Sequence, residues 1–513
     1  MRRNPEWLSK PGEQLRSEIE RLEAEAQLKR DQAKADRQAA AQASAANAAA
    51  TATGANTDDT DSASYTRIKR QALPNGAVSN ADLSFDVDYD VVVIGSGYGG
   101  AIAAARLSAL APIAANVGAS ERRPFRVCVL ERGLEYVQGS FPSAFAELPA
   151  HVRIAARNAG VSQAADALFD LHIGGDVWSL TGNGLGGGSL INAGVCERAS
   201  AEVLRDEAWP SKWRMPPPLD ADSSETDGFS TSKWGGLYGR AQGELQPVEW
   251  TTQRPKSEYV EWLGEQLDEP VRAANVAVVP PGLEAITTKG VTLDGCIECG
   301  DCFTGCNHNA KRTLSTNYLA DAYCNGADIF TGVTVRGVTH ERADSATWSV
   351  SCVLTDEKKC GPKNHGGAGI IEEEFEIRAR YVVIAAGTYG STELLMRSQE
   401  RRRGLTLSSQ LGHGFSANGD FFAARYNGHR PANNAPKETT PANERKVGPT
   451  ITRLLDMRAR PGASALAIEE ISVPAALRRV FEEIVSTGNA IHRWTRWDFS
   501  SFKPSDRDPL ALD

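Results

Sequence analysis

The sequence predicts an α/β protein, with a Rossmann-like dinucleotide-binding domain and a discontinuous second domain of mixed or antiparallel sheet plus helices. Three observations predict this fold class. A β-branched run at residues 90–94 precedes a glycine-rich turn and a helix-forming stretch of small residues. A second apolar run, at residues 125–130, ends at Glu131. A third run, at residues 379–384, leads through Ala-Ala-Gly into another helix-forming stretch.

The first glycine-rich turn spans residues 95–100 and reads Gly-Ser-Gly-Tyr-Gly-Gly. Gly95 suits a tight turn, Gly97 lets the backbone approach a pyrophosphate, and Gly100 lets helix and strand pack closely. The phosphates of the ligand would lie at the helix N-terminus, where free N–H groups favour negative charge. Glu131 is placed to accept hydrogen bonds from ribose hydroxyls, and a loop insertion at 112–124 accounts for its distance along the chain.

A second glycine-rich segment, residues 182–194, reads GNGLGGGSLINAG. Its composition alone is also that of a flexible surface loop. Apolar residues flank it on both sides, however, among them Trp178 and Ile191. Glycine-dense backbone in buried surroundings is typical of a chain that lies against a flat ligand.

Together, residues 90–100, Glu131-Arg132-Gly133, GLGGGSLINAG and the later IAAGTYGSTELL resemble the glucose–methanol–choline (GMC) family of flavin oxidoreductases, in its cholesterol-oxidase-like branch. The resemblance implies FAD as cofactor. It is expected to bind non-covalently, since the second glycine-rich segment has no His. The cofactor-binding residues that it implies are Gly95, Gly97, Gly99, Gly100, Glu131, Arg132, Gly186, Gly187, Ser189, Asn192, Ala193, Gly194, Val333, Ala386 and Gly387.

Four cysteines, Cys296, Cys299, Cys302 and Cys306, follow the spacing C-x2-C-x2-C-x3-C. This spacing indicates a [4Fe–4S] cluster, as in bacterial ferredoxins. Against it, Asn307 stands where Pro usually follows the last Cys, and the sequence has no second quartet. A tetrahedral zinc site fits such close spacing poorly. Free thiols in a structural loop are the remaining interpretation.

For catalysis, the resemblance assigns the acid–base position to Glu469, with Glu470 as the alternative, because EEISVPAAL resembles a stretch of this branch that carries a Glu. A solvated Glu that opens a helix explains the pattern equally. The family's C-terminal motifs, of the form H-P-x-G-G and N-P-x-x-T, do not occur before Asp513. We therefore expect a C-terminally truncated chain, or one completed by another chain.

The function that this resemblance implies is hydride transfer to flavin from the CH–OH group of a sterol or another bulky alcohol. The electron acceptor would be O2 or another acceptor. Two alternatives stay open: a dehydrogenase that passes electrons to an iron–sulfur cluster or a quinone, and a catalytically incomplete flavin-binding fragment. We expect residues 85–135 and 305–395 to form the FAD-binding domain. Residues 136–304 and 396–513 would form the substrate domain over the flavin, without its C-terminal catalytic segment.

Composition excludes several other classes. The chain has 513 residues, 41% of them hydrophobic, and a net charge of −9, which argues against nucleic-acid binding. No apolar run is long enough for a transmembrane segment. With no secretory signal, a cytoplasmic location is expected. Residues 1–80 predict a solvated helical extension followed by a disordered linker, since large apolar residues are few.

Overall fold

The computed structural model describes residues 9–25, 27–28, 32, 87–110, 124–156, 160–161, 166–174, 177–216, 229, 232–340, 347–355, 374–401, 405–420, 422–423, 446–458, 466–481 and 483. The predicted linker before residue 81 and most of the predicted insertion at 112–124 lie outside these ranges.

The elements are numbered in chain order. The strands are β1 (Lys10–Pro11), β2 (Tyr89–Ile94), β3 (Val127–Leu130), β4 (Val152–Ala156), β5 (Gly160–Val161), β6 (Phe169–Ile173), β7 (Trp178–Gly182), β8 (Val248–Glu249), β9 (Val271–Ala273), β10 (Asn275–Val276), β11 (Ala285–Ile286), β12 (Thr292–Leu293), β13 (Asp328–Thr331), β14 (Val333–His340), β15 (Trp348–Leu354), β16 (Phe375–Ile384), β17 (Arg453–Asp456) and β18 (Ala467–Glu469). The helices are α1 (residues 12–25), α2 (Tyr98–Ser108), α3 (Leu148–His151), α4 (Ala201–Arg205), α5 (Lys233–Leu245), α6 (Pro255–Leu267), α7 (Tyr318–Cys324) and α8 (Gly387–Glu400).

The largest sheet has seven strands in the order β1-β13-β3-β2-β16-β15-β14. The pairs from β1 to β16 are parallel, whereas β16, β15 and β14 form an antiparallel meander. Strand β16 joins both parts, because its first half pairs with β15 and its second half with β2. The predicted α/β fold class with a Rossmann-like sheet is confirmed.

Every residue of β2 is buried, as expected for a central parallel strand covered on both faces. Val92 and Ile94 contribute to a core that also holds residues of the meander. Val91 and Val93 contribute to a second core, which includes residues of α2 and α7. The alternation of side chains along β2 thus supplies two apolar layers at once.

The N-terminal segment differs from the prediction. Residues 12–25 are helical as expected, but Leu15 and Ile19 are buried in the same core as Val92. Strand β1 pairs in parallel with β13 and extends the sheet. A helix with a few apolar residues at helical spacing was interpreted as solvated, but here a sheet face covers those residues.

The remaining strands form smaller sheets. One is mixed, in the order β5-β4-β6-β7, and another is antiparallel, in the order β18-β17-β9. These agree with the predicted mixed and antiparallel second part. Within the described ranges, no helix is long and apolar enough to cross a membrane.

Candidate cofactor-binding and active site

The two glycine-rich segments meet at the end of β2. Gly95 has φ of +94°, and a Cβ atom there would lie 2.5 Å from the carbonyl oxygen of Ala385. A Cβ on Gly100 would lie 1.9 Å from the carbonyl oxygen of Gly95, so α2 can start this close to β2 only with glycine. A Cβ on Gly187, whose φ is +53°, would lie 2.9 Å from the Cα of Gly97. The two segments thus pack backbone against backbone at this point.

Ser96 connects the two segments, and sequence reasoning missed it. Its Oγ donates to Oε2 of Glu131 at 2.5 Å and accepts the N–H of Gly186 at 3.0 Å. The backbone N–H of Ser96 also donates to Oε2 of Glu131, and the N–H of Gly133 donates to Oε1. Glu131 is buried and held by these donors at the end of β3. The only signal in the sequence was the hydroxyl between two glycines.

The second glycine-rich segment is not a flexible surface loop. Four consecutive residues, 184–187, are buried, and Ser189 donates to the carbonyl of Gly186 at 2.7 Å. Ser189 Oγ also accepts the N–H of Leu314 at 3.1 Å. Asn192 donates to the hydroxyl of Tyr98 at 2.8 Å, which ties the segment to the start of α2.

Two helix N-termini lie where the two segments meet. Helix α2 begins after Gly97 and helix α8 after Ala386, and neither has a side-chain cap or an acidic residue in its first turn. The first N–H groups of a helix have no partner within it and carry a partial positive charge. Ala386 also lies beside Gly95, since a Cβ on Gly95 would be 2.8 Å from its Cα. The arrangement suits the phosphates of a dinucleotide.

Two of the predicted cofactor contacts have other partners. The guanidinium of Arg132 donates to Oδ2 of Asp170 at 2.6 Å and to Oδ1 of Asn183 at 2.8 Å. Its side chain therefore braces the second glycine-rich segment from β6. The side chain of Val333 lies in a core of the large sheet, and its N–H donates to the carbonyl of Glu131. Contact of either residue with a cofactor stays a prediction.

Asp170 is the buried anion of that brace. Burial alone would raise its pKa. The nearby ring of His172, whose Nε2 lies 3.6 Å from Oδ2, and the charges of Arg132 and Arg153 outweigh burial and hold the pKa of Asp170 well below its usual range. The ring of His172 stacks on Tyr389 in the first turn of α8, with centroids 4.3 Å apart. The brace thus reaches the second glycine-rich segment and α8.

The four clustered cysteines line one small cavity together with Lys311. All four are free thiols. Burial raises the pKa of Cys296 to about 12 and also raises the pKa of Cys302, as expected of unreactive buried thiols. Among the residues that the structure describes, no three His, Cys, Asp or Glu side chains converge where a metal ion could bind. The iron–sulfur interpretation therefore has no support, and free thiols in a structural loop fit best.

Two adjacent cations, Lys311 and Arg312, link this cysteine loop to the second glycine-rich segment. Lys311 is 4% exposed, and its Nζ donates to the carbonyls of Asn192, Leu190 and Cys302 at 2.6, 3.1 and 3.1 Å. Burial lowers the pKa of Lys311 to about 8, although the neighbouring thiols oppose the shift. Arg312 is 8% exposed, and no described residue offers a hydrogen-bond acceptor to its Nε or Nη1.

The two candidate acid–base residues differ sharply. Glu469 is exposed on β18, and partial desolvation together with the charges of Asp420 and Glu197 raises its pKa. Glu470 is buried, and its Oε1 binds Nζ of Lys256 at 3.1 Å and the N–H of Thr452 at 2.9 Å. Its contacts are thus already satisfied. Glu470 is a structural residue, which removes it as the alternative to Glu469.

Sequence comparison identifies relatives of this chain. A family model described as GMC oxidoreductase matches residues 272–414. A cholesterol oxidase of Mycobacterium tuberculosis is 28% identical over 63% of this chain and 50% of its own. A cholesterol oxidase of Acinetobacter baumannii is 24% identical over 65% of this chain and 54% of its own. The long-chain-alcohol oxidase FAO4B of Arabidopsis thaliana is 24% identical, over 63% and 36%. The chain spans about half the length of the two cholesterol oxidases.

Proposed function

Because the chain belongs to the GMC oxidoreductase family, we propose that it is an FAD-dependent oxidoreductase that oxidises the CH–OH group of an alcohol. The observation that carries the proposal is the contact between the two glycine-rich segments. Gly97 and Gly187 approach so closely that a Cβ on Gly187 would lie 2.9 Å from the Cα of Gly97. A dinucleotide with a flat ring system needs both a phosphate site and a smooth backbone surface.

The residues at this surface fit FAD. The uncapped start of α2 would hold the pyrophosphate, and Glu131, fixed by Ser96 and Gly133, would face the ribose. The backbone of residues 186–194 would lie along the flavin. When bound, the flavin supplies the hydride acceptor for alcohol oxidation, and the protein positions the substrate and its proton.

In this proposal Glu469 is the group that accepts the hydroxyl proton. Its raised pKa and its exposure suit a carboxylate that exchanges protons with a substrate. Glu469 would hold the hydroxyl proton while the alcohol is converted to a carbonyl compound, and a bound flavin would supply the acceptor for the two electrons and the hydride hydrogen. With O2 as the final acceptor, peroxide would be the product.

A sterol is the alcohol that we propose first, because two relatives are named cholesterol oxidase. A long-chain alcohol is the alternative, since a third relative is named for that substrate. Both are bulky and apolar, and both carry one hydroxyl to be oxidised. A panel of cholesterol, long-chain primary alcohols and short polar alcohols separates these possibilities.

The first test is a visible spectrum of the protein purified after expression with riboflavin supplementation. We expect flavin absorption bands that are lost when Gly97→Val fills the approach to the pyrophosphate. Gly236→Val, in α5, serves as the control. A Cβ atom added at Gly236 meets no atom within 4 Å, and the same is true of Gly97. A correctly folded but colourless wild type contradicts the proposal.

The second test identifies the electron acceptor. With a reactive alcohol in air, peroxide formation identifies an oxidase, whereas turnover only with an added quinone or dye identifies a dehydrogenase. A flavin-loaded protein that turns over with neither acceptor supports the third interpretation, a flavin-binding protein without activity of its own.

A further inference from the structure

Arg312 is a buried cation with no anion beside it in the described part of the chain. The residue is more than nine-tenths buried, and neither Nε nor Nη1 has a hydrogen-bond acceptor among the described residues. No carboxylate of the described residues forms an ion pair with it, and burial lowers the pKa of its guanidinium. An unpaired buried charge costs several kcal/mol, so proteins rarely retain one unless something binds it.

The position of Arg312 points to what binds it. Its N–H donates to the carbonyl of Ala277 at 2.9 Å, which fixes its backbone. The preceding residue, Lys311, is bound to the carbonyls of Leu190 and Asn192. Leu314, two residues further on, donates its N–H to Oγ of Ser189. The backbone around Arg312 is therefore anchored on both sides to the second glycine-rich segment.

The local charge also favours an anion. Lys311 carries a second buried cation beside Arg312, and its partners are neutral carbonyls. No described carboxylate pairs with Lys311 either. Two adjacent positive charges with no negative charge to offset them leave this part of the site suited to a ligand that carries an oxyanion.

We propose that Arg312 is an anion-binding residue of the ligand site, whose guanidinium binds a phosphate or carboxylate group of a molecule held at the second glycine-rich segment. This inference builds on the proposed function, which places a ligand at that segment. The oxyanion has two possible sources. One is the pyrophosphate of the cofactor, and the other is a carboxylate carried by the alcohol substrate.

The central variant is Arg312→Met, which keeps an unbranched apolar stem in place of the aliphatic part of the side chain and removes the charge. Arg312→Lys keeps the charge and loses the planar pair of donors. Arg453→Met is the matched control, since Arg453 is equally buried but pairs with Glu261 and backbone carbonyls. Melting temperatures are measured without ligand, with pyrophosphate and with benzoate, against chloride at equal ionic strength.

Without ligand, we expect R312M to melt no lower than the wild type, because an unpaired buried charge is removed. R453M should melt lower, because Glu261 loses its partner. Pyrophosphate or benzoate should raise the melting temperature of the wild type and of R453M, but not that of R312M. R312K should keep part of the effect.

Two further measurements identify the source of the oxyanion. If it is the pyrophosphate, R312M raises the dissociation constant of FAD at least about tenfold, as expected for a charged hydrogen bond. If it is a substrate carboxylate, FAD affinity is unchanged, and the flavin-monitored affinity for benzoate falls at least about tenfold. Affinity for benzamide, the uncharged analogue, then stays constant.

Equal oxyanion responses of wild type and R312M, with FAD and benzoate affinities within twofold, would overturn the inference. A marked fall in the melting temperature of ligand-free R312M would also contradict it, since that result assigns Arg312 a structural role. A wild type without flavin contradicts the proposed function instead. The melting response to pyrophosphate still tests Arg312 in that case.

Discussion

Two pairs of buried cations in this protein have opposite surroundings. Lys256 and Arg453 are 1% and 5% exposed, and their charges are met by the carboxylates of Glu470 and Glu261. Lys311 is as deeply buried, and Arg312 nearly so, but no described carboxylate pairs with either. Each pair combines one Lys and one Arg, so the residue types alone do not distinguish them.

The difference separates a structural site from a ligand site. In the paired set, Glu470 also accepts the N–H groups of Thr452 and Arg453, which joins α6 to β17. In that set, each cation pairs with a carboxylate of the chain itself. The unpaired set lies along the glycine-rich segment proposed to hold the flavin. Its missing negative charge is what a bound oxyanion would supply.

The largest effect is expected at Glu470. Glu470→Ala leaves Lys256 buried without a carboxylate, and should lower the free energy of unfolding by about 4 kcal/mol. Denaturant unfolding at pH 7 measures this. The double variant with Lys256→Met and Glu470→Leu should recover part of the loss, because it removes both charges but leaves the N–H groups of Thr452 and Arg453 without this acceptor. If the single variant loses less than about 1 kcal/mol, the paired set is not structural.

The second prediction concerns the pH dependence of the unpaired set. The pKa of Lys311 is about 8 in the folded protein, below its usual value, so the folded state releases this proton first as pH rises. The unfolded chain then binds more protons, and stability rises with pH between about 8 and 10.5. Relative to Lys311→Met, the wild type should gain about 3 kcal/mol over this window.

Denaturant unfolding of wild type and K311M at closely spaced pH values measures that difference. Taking the difference cancels groups that titrate in both proteins. A constant difference across the window would contradict the unpaired environment of Lys311. Lys256→Met serves as a comparison: burial also lowers the pKa of Lys256, but Glu470 beside it opposes the shift, so a smaller rise is expected.

The third prediction concerns Glu131, a buried carboxylate that accepts hydrogen bonds from Ser96 and Gly133. Ser96→Ala removes the hydroxyl that donates to Glu131 and accepts from Gly186, and should cost about 1–3 kcal/mol of unfolding free energy. Thermal denaturation measures it. Ser108→Ala, at the far end of α2, is the control, because Ser108 is buried and, among the described residues, its hydroxyl bonds the carbonyl of Ala105 alone. Equal losses in both variants would remove the special role of Ser96.

The smallest effect on stability is expected at Glu469. Glu469→Gln should change the free energy of unfolding by less than about 0.5 kcal/mol, because the side chain is exposed. The same variant should lower alcohol oxidation about 100-fold if Glu469 accepts the hydroxyl proton. Glu249→Gln, at another exposed strand position, should leave the rate unchanged. Unaltered activity of E469Q would remove Glu469 from the mechanism.

The pH dependence of the oxidation rate gives a further test of Glu469. Partial desolvation and the nearby carboxylates raise the pKa of Glu469, so its ionised form appears at higher pH than for an ordinary Glu. The rate of alcohol oxidation should rise as the pH passes through this raised pKa. The same rise should be absent from the pH profile of E469Q.

Several features followed from the sequence because their causes are local. The strand β2, the turn at Gly95 and the helix α2 are adjacent along the chain, and each is set by residue type and spacing. Glu131 at the end of β3 followed from the same pattern. Burial was harder to predict. Leu15 and Ile19 were interpreted as solvated, because the sheet face that covers them is built from residues far along the chain.

The site shows the same division. Ser96 was missed because its importance depends on Glu131 and Gly186, which only the fold brings to its hydroxyl. Glu469 and Glu470 are adjacent in sequence, yet one is exposed and the other is bound to Lys256. Alternation along a strand puts neighbours on opposite faces, and the sequence did not state which face is buried.

The sequence by itself determined the dinucleotide fingerprint, the second glycine-rich segment and the family resemblance, because these depend on the conformational freedom of glycine and on short-range order. Only the tertiary structure decided that the two glycine-rich segments touch, that Arg132 turns to Asp170, and that Nε and Nη1 of the buried Arg312 have no acceptor among the described residues. Whether a charge is paired depends on distances between residues remote in sequence, and those distances exist only in the folded chain.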